Sequence, residues 1–268
     1  MYKKSDIIDQ LTEMGAPRDS VVLMHSSLRA VGDVEGGGQG LLDALVEYFT
    51  ADGGLFCVAT HTWSNLGKDV ITLDLTKNES NLGAMALVAL ADGRGIRSEN
   101  PSHSMVVFGD RKKAEEFVRG EIDVSSTTSP ESCYGKIYKM GGKILLVGVS
   151  HNRNTYLHCV DEILGISNRM NDEPVNTTVK RRDGEIIERR VRLYKTSFIG
   201  DISLRFPKYE TAFRYHRCIT DGFIGNAPTQ LCDAVKMKET VELISKNCGE
   251  ADPLESEKPI PQSWYCKK

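Results

Sequence analysis

A chain of 268 residues that is 40% hydrophobic and 26% charged, with a formal net charge of −3, has material for one large core or two small ones. The mild negative balance and the lack of a long Lys/Arg block exclude a surface built for nucleic-acid phosphates. No run of about 18 uncharged apolar residues offers a membrane span, MYKKSDIIDQ lacks a signal peptide's apolar run, and the seven cysteines show no CxxC spacing, so a cytoplasmic protein with reduced thiols and no structural zinc is expected.

The pattern over Ser5 to Met14 predicts a short amphipathic helix closed by Gly15-Ala16-Pro17. Val21 to His25 reads as a buried strand, followed by a small-residue loop from Ser26 to Gly32, the glycines Gly36 to Gly38, and a helix from about Gln39 to Phe49. Those glycines lack the Walker lysine and the GxGxxG spacing, so they carry no nucleotide fingerprint. Gly54 to Ala59 is the next strand. It runs into Thr60-His61-Thr62-Trp63 at its carboxyl end, the edge where open α/β sheets bind ligands. A helix over Asn81 to Leu90, a break at Gly93-Arg94-Gly95, a strand from Met105 to Gly109 and a helix from Lys112 to Val118 continue the βα alternation. Ser129-Pro130 can open a short helix ending near Tyr138.

The next stretch, Gly141 to Gly165, concentrates the chemistry. The apolar run Ile144 to Val147 reads as a strand buried on both faces, and Leu157, Val160, Ile163 and Leu164 give the helix that follows it. Asn154 or Thr155 is placed to cap that helix, which puts His158 in or near its first turn. Asp161 and Glu162 follow His158 by three and four residues, and either spacing brings a carboxylate to the imidazole's face, so the pattern is that of a base with an orienting acid. Cys159, adjacent to His158, points elsewhere on the helix, which argues against a Cys/His nucleophile. Five of the six histidines, His25, His61, His103, His151 and His158, fall at or just past candidate strand ends and could converge on one cleft.

Downstream, alternating Thr, Val, Lys and Arg residues around Asp183-Gly184 predict antiparallel strands. Ile224 to Ala227 reads as another strand or turn, and Leu231 to Ile244 as a C-terminal helix. The expected fold is α/β: a mixed central sheet flanked by helices, with a late antiparallel β insertion at about 175–195. Residues 1–249 form one domain, and 250–268 an extended surface strap or a disordered tail.

Four segments in order resemble the aminoglycoside 3-N-acetyltransferase family. They are His25-Ser26-Ser27-Leu28 with Gly32; Arg97-Ser98 with Pro101 and His103-Ser104; Gly148-Val149 with Asn154-Thr155 and His158; and Gly225-Asn226-Ala227. Asn100 stands where the family usually has His, and Ser150 where it usually has Gly. The resemblance implies a cleft for acetyl-coenzyme A as co-substrate and direct transfer to a small-molecule amine, most readily the 3-amino group of an aminoglycoside antibiotic. It implies no nucleic-acid or membrane partner and a monomer or homodimer. It assigns His158 as general base and places the family's acid at Asp161, with Glu162 a near alternative. Thr155 or the loop amides near Ser27 and Leu28 would donate to the thioester oxygen, and Ser26, Ser27, Leu28, Arg29, His103 and Ser104 would lie along the coenzyme. Two other classes compete: a metal-dependent hydrolase using His61, His103 and His151, and a non-catalytic coenzyme A-binding relative.

Overall fold

In a computed structural model, residues 1–195, 200–249 and 251–266 are described. The elements run α1 (Lys4–Glu13), β1 (Val21–Ser26), α2 (Leu28–Val31), α3 (Gly37–Thr50), β2 (Leu55–Ala59), β3 (Leu73–Asp74), α4 (Ala84–Ala91), β4 (Ile96–Arg97), β5 (Met105–Phe108), α5 (Arg111–Val118), α6 (Cys133–Lys139), β6 (Lys143–Val147), α7 (Tyr156–Ile163), β7 (Val175–Lys180), β8 (Ile186–Val191), α8 (Glu210–Tyr215), β9 (Ile219–Ile224), β10 (Ala227–Asp233) and α9 (Ala234–Asn247). The central sheet has the order β4-β5-β2-β1-β6-β10-β9. Its middle, β2-β1-β6, is parallel, and the pairings outward from it are antiparallel. A small second sheet, β3-β7-β8, contains the predicted insertion as a hairpin closed at Asp183-Gly184.

Alternation along the strands divides the core in two. Val21 and Leu23 of β1 face one layer, with α5, α6, α7, α8 and α9; Val22 and Met24 face the other, with α1, α3 and α4. Ile144 to Val147 are fully buried, as a strand covered on both faces requires.

Three expectations are corrected. The βα alternation stops at β5, which pairs antiparallel to β2. Residues 219–233 form a hairpin turning at Gly225-Asn226, so Leu231 belongs to β10 and not to the last helix. That helix begins at Ala234, where the Asp233 side chain accepts from the Lys236 amide. The C-terminal strap, finally, is pinned: Leu254, Ile260 and Tyr265 are buried in the core, and Asp252 takes two hydrogen bonds from the buried Arg169 guanidinium at 2.5 and 2.9 Å.

The crossover from β6 is tight. Gly148 has φ +63°, and a Cβ placed there would meet the Ala30 methyl at 2.4 Å. Gly148→Ala therefore combines a left-handed backbone with a clash against α2, and is expected to cost about 2 kcal/mol or more. Urea unfolding of the variant checks this; a midpoint equal to the parent's would refute it.

Candidate active site

The sheet register assembles the site. The antiparallel pairing Ala59↔Met105 continues through the Thr60 amide to the Ser104 carbonyl and the Thr62 amide to the Ser102 carbonyl, both at 2.8 Å. His61 and His103 therefore sit opposite each other, with ring centroids 4.5 Å apart. His25 lies at the end of β1, beside β2, and His158 on α7, which follows β6. Four imidazoles thus come from successive positions across β5, β2, β1 and β6 and line one cavity of about 510 Å³. His151 does not join them. Its ring packs edge-on against Phe213 at 5.1 Å, and its Nδ1 meets the Asn154 amide at 3.1 Å.

Burial keeps these rings neutral. It pushes His158 down to about 3, assisted by the nearby His103 and Arg169 and opposed by the Asp201 carboxylate. It pushes His25, His103 and His151 to about 4 and His61 well below the usual range. The His158 ring lies against Tyr194 at 4.0 Å and Phe206 at 4.9 Å, and the Tyr194 hydroxyl donates to the His158 carbonyl. Its Nδ1 has no hydrogen-bond partner among the described residues.

The expected orienting acids are turned away. Asp161, only 1% exposed, accepts from Arg169 Nε at 2.9 Å. Glu162 accepts from Ser126 and from Thr128, the latter at 2.6 Å. Helical spacing puts each within reach of His158, but Arg169 holds the one, and Ser126 and Thr128 the other, away from the ring. The carboxylate that lines the cavity is Asp201, in a segment with no periodicity to mark it. Thr155 lines the cavity too, at the N-cap position, without a side-chain cap bond; Asn154 does not cap either.

The residues expected along the coenzyme divide. Ser26 and His103 line the cavity. Ser27 instead caps α2 through its hydroxyl, at 3.4 Å from the Ala30 amide, and its own amide donates to the Val147 carbonyl at 2.9 Å. Leu28 packs into the α1/α3/α4 layer, and Arg29 is exposed on α2. Ser104 is scaffold: its buried hydroxyl donates to the Thr60 carbonyl at 2.9 Å and accepts from Arg97 Nε at 3.1 Å. Arg97, whose pKa burial lowers to about 10, also reaches the Thr60, Lys77 and Glu79 carbonyls and so ties the 77–80 loop to the sheet edge.

Trp63, 49% exposed, and Arg153 stand at the cavity, as does Tyr194. Tyr194 had no local signal, because it follows the β insertion at a long sequence distance. The acidic residues Asp69, Asp74 and Glu79, the second of them in β3, line a separate groove against β7. Among the described residues, no three His, Cys, Asp or Glu side chains are grouped to hold a metal ion, and no helix is long and apolar enough to cross a membrane.

Comparison with known proteins gives a consistent picture. The family model for aminoglycoside 3-N-acetyltransferase matches residues 23–244. Aminoglycoside N(3)-acetyltransferase IV of Salmonella sp is 27% identical over 160 residues, 60% of this chain and 59% of the relative. The SPbeta prophage-derived aminoglycoside N(3')-acetyltransferase-like protein YokD of Bacillus subtilis strain 168 is 23% identical over 177 residues, 59% of this chain and 64% of the relative. The match thus spans less than two thirds of either relative. Among solved structures, AAC-IIIb in binary complex with CoASH superposes with a TM-score of 0.79 at 20% identity, covering 94% of this chain and 99% of that one. A mutant of aminoglycoside acetyltransferase AAC(3)-IVa in complex with apramycin gives 0.73 at 22% identity, covering 96% and 98%. At these identities the superpositions establish a shared fold.

The neutral histidines have a thermodynamic consequence. Unfolded, each titrates near 6.5; folded, His25, His61, His103, His151 and His158 resist protonation until far lower pH. Their contribution is complete above the unfolded value and is lost as pH falls through it, at about 1.4 kcal/mol per pH unit for each ring. Burial raises the carboxyls of Asp161, to about 7, and of Glu121 and Glu162, so these take up protons first in the folded protein and oppose the trend. The five rings outnumber them, and urea midpoints are expected to fall between about pH 6 and 5. A midpoint that stays level to about pH 5 would show that the rings are charged in the native protein.

Proposed function

The chain belongs to the aminoglycoside 3-N-acetyltransferase family, and from that premise we propose that it transfers the acetyl group of acetyl-coenzyme A directly to an amine, the 3-amino group of an aminoglycoside foremost, with His158 as general base. The observation that carries this reading is the neutral His158 imidazole in the first turn of α7, on the wall of a cavity at the carboxyl ends of the parallel strands. Relatives are named for the same transfer, and similar folds have been solved with CoASH and with an aminoglycoside.

The residues present suit coenzyme A. Ser26, Asn152 and the ring nitrogens of the wall offer hydrogen bonds to an amide-bearing arm, and Arg153, exposed at the cavity, offers a cation for phosphate. The bound co-substrate supplies an electrophilic thioester. The amine lone pair forms the C–N bond, and the nitrogen, made acidic by that bond, gives its proton to His158. The C–S bond then breaks, and the thiolate takes up the proton held by His158 and leaves as the free thiol, returning the imidazole to its neutral form. Bond formation lowers the nitrogen's pKa towards that of the ring, and the Asp201 carboxylate raises the ring's towards it, which narrows the gap that burial of His158 opens. Asp201, the acid that favours the protonated ring, stabilises the imidazolium in the role the sequence had given to Asp161 or Glu162.

Acetyl-coenzyme A is expected to raise the melting temperature by binding the native state alone. His158→Ala is expected to keep that shift while lowering kcat by about a hundredfold to ten-thousandfold, read as thiol release across a panel of aminoglycosides and simpler amines. A folded His158→Ala protein that binds acetyl-coenzyme A and turns over within about threefold of the parent sinks the mechanism. A binding parent that releases no thiol with any amine identifies a non-catalytic relative.

A further inference from the structure

His103 is held differently from the other rings of the wall. Its amide donates to Asn100 Oδ1 at 2.9 Å, its carbonyl accepts from the Tyr134 hydroxyl at 3.2 Å, and its Nδ1 lies 2.8 Å from the Ser102 hydroxyl. The direction of that last bond follows from proton counting. Ser102 is fully buried, and His103 Nδ1 is the acceptor that its hydroxyl hydrogen has among the described residues. Ser102 therefore donates, Nδ1 accepts, and the ring proton sits on Nε2, the nitrogen left for the cavity that the ring lines.

The neighbouring ring is fixed by the same reasoning. The Tyr134 hydroxyl has one proton, given to the His103 carbonyl, so at 2.8 Å it accepts from His61 Nε2. His61, tilted at 43° with its centroid 4.5 Å away, then packs beside His103 on the same wall. The wall thus presents the cavity with an imidazole N–H of fixed tautomer.

We propose that His103 Nε2–H is the hydrogen-bond donor to the thioester carbonyl oxygen as negative charge develops on it, with Ser102 as the positioning residue that sets the tautomer. This rests on the acetyl-transfer reading above and assigns a role that it left open. As the C–N bond forms, the carbonyl π pair moves onto oxygen and is met by Nε2–H. As the pair returns, the C–S bond breaks and sulfur leaves with its electrons. No proton passes from His103, which starts and ends as neutral imidazole. A donor oriented beforehand in a water-poor site needs no reorganisation when the charge appears. Thr155, the hydroxyl considered from sequence, comes from the opposite wall with a freely rotating proton.

The test uses the amide side chains that mimic one ring nitrogen each, with the acceptor on which the parent is most active. Glutamine extends its NH₂ to the place of Nε2; asparagine reaches only the place of Nδ1. His103→Leu is expected to lower kcat about a hundredfold or more with KM for acetyl-coenzyme A little changed. His103→Gln should recover most of that loss, and His103→Asn should not. If the leucine variant fails to fold, the contrast between Gln and Asn decides. Equal rates for those two, or a folded leucine variant within about threefold of the parent, overturn the proposal. A parent that binds acetyl-coenzyme A but acetylates nothing overturns the acetyl-transfer reading itself and this role with it, and is recognised before any variant is made.

Discussion

Four imidazoles gathered on the wall of one cavity, three from the sheet edge and one from α7, cannot all hold protons, and the rest of the site depends on that constraint. Desolvation disfavours each imidazolium, and every neighbouring ring that took a proton would raise the cost for the next. The wall is therefore uncharged near neutral pH and works through hydrogen-bond direction. A neutral imidazole is both a donor and an acceptor, and its environment decides which nitrogen does which. Ser102 decides for His103, and Tyr134 for His61.

The two carboxylates of α7 illustrate how support and chemistry divide on one helix. Asp161 joins Arg169, which also binds Asp252 of the C-terminal strap, so α7, the turn after it and the strap meet in a buried ion cluster. Breaking one partner from such a cluster leaves a charge unpaired and is costly, even where the intact cluster adds little net stability. Glu162 ties the other side of α7 to Ser126 and Thr128. His158 is thus mounted on a helix clamped on two sides, and the acids fix its place without touching its ring. Arg97 and Asn100 do the same for the opposite wall through backbone carbonyls, including that of Thr127, and the His103 amide.

What was legible in the sequence follows from how local each signal is. The strand at Ile144 to Val147 and the helix carrying His158 are written in apolar runs and periodicity, and the β insertion in its Asp183-Gly184 turn. β9 is an edge strand with Asp221 and Phe223 exposed, so it lacked an apolar run, and its partner β10 merged with the following helix. Asp161 and Glu162 show that spacing states which side chains can meet, while the strongest available partner settles which do. Tyr194 and Asp201 stand about forty residues beyond His158, each outside the named strands and helices, and no period marks such residues. The pairing of His61 with His103 is a matter of register, invisible until β2 and β5 are known to be antiparallel.

An uncharged wall also fits the acceptor that the proposed reaction requires. An amine attacks only as the free base, and a cavity carrying several imidazolium charges would repel the ammonium from which that base is drawn. With the rings neutral, the exposed Asp201 carboxylate can attract the ammonium, while the desolvation that keeps the rings neutral also favours loss of the ammonium's charge. The same desolvation strengthens any hydrogen bond to the developing oxyanion. Burial of the histidines, which costs the protein stability in acid, is thus the condition under which one ring can accept a proton and another can donate a hydrogen bond without giving its proton up.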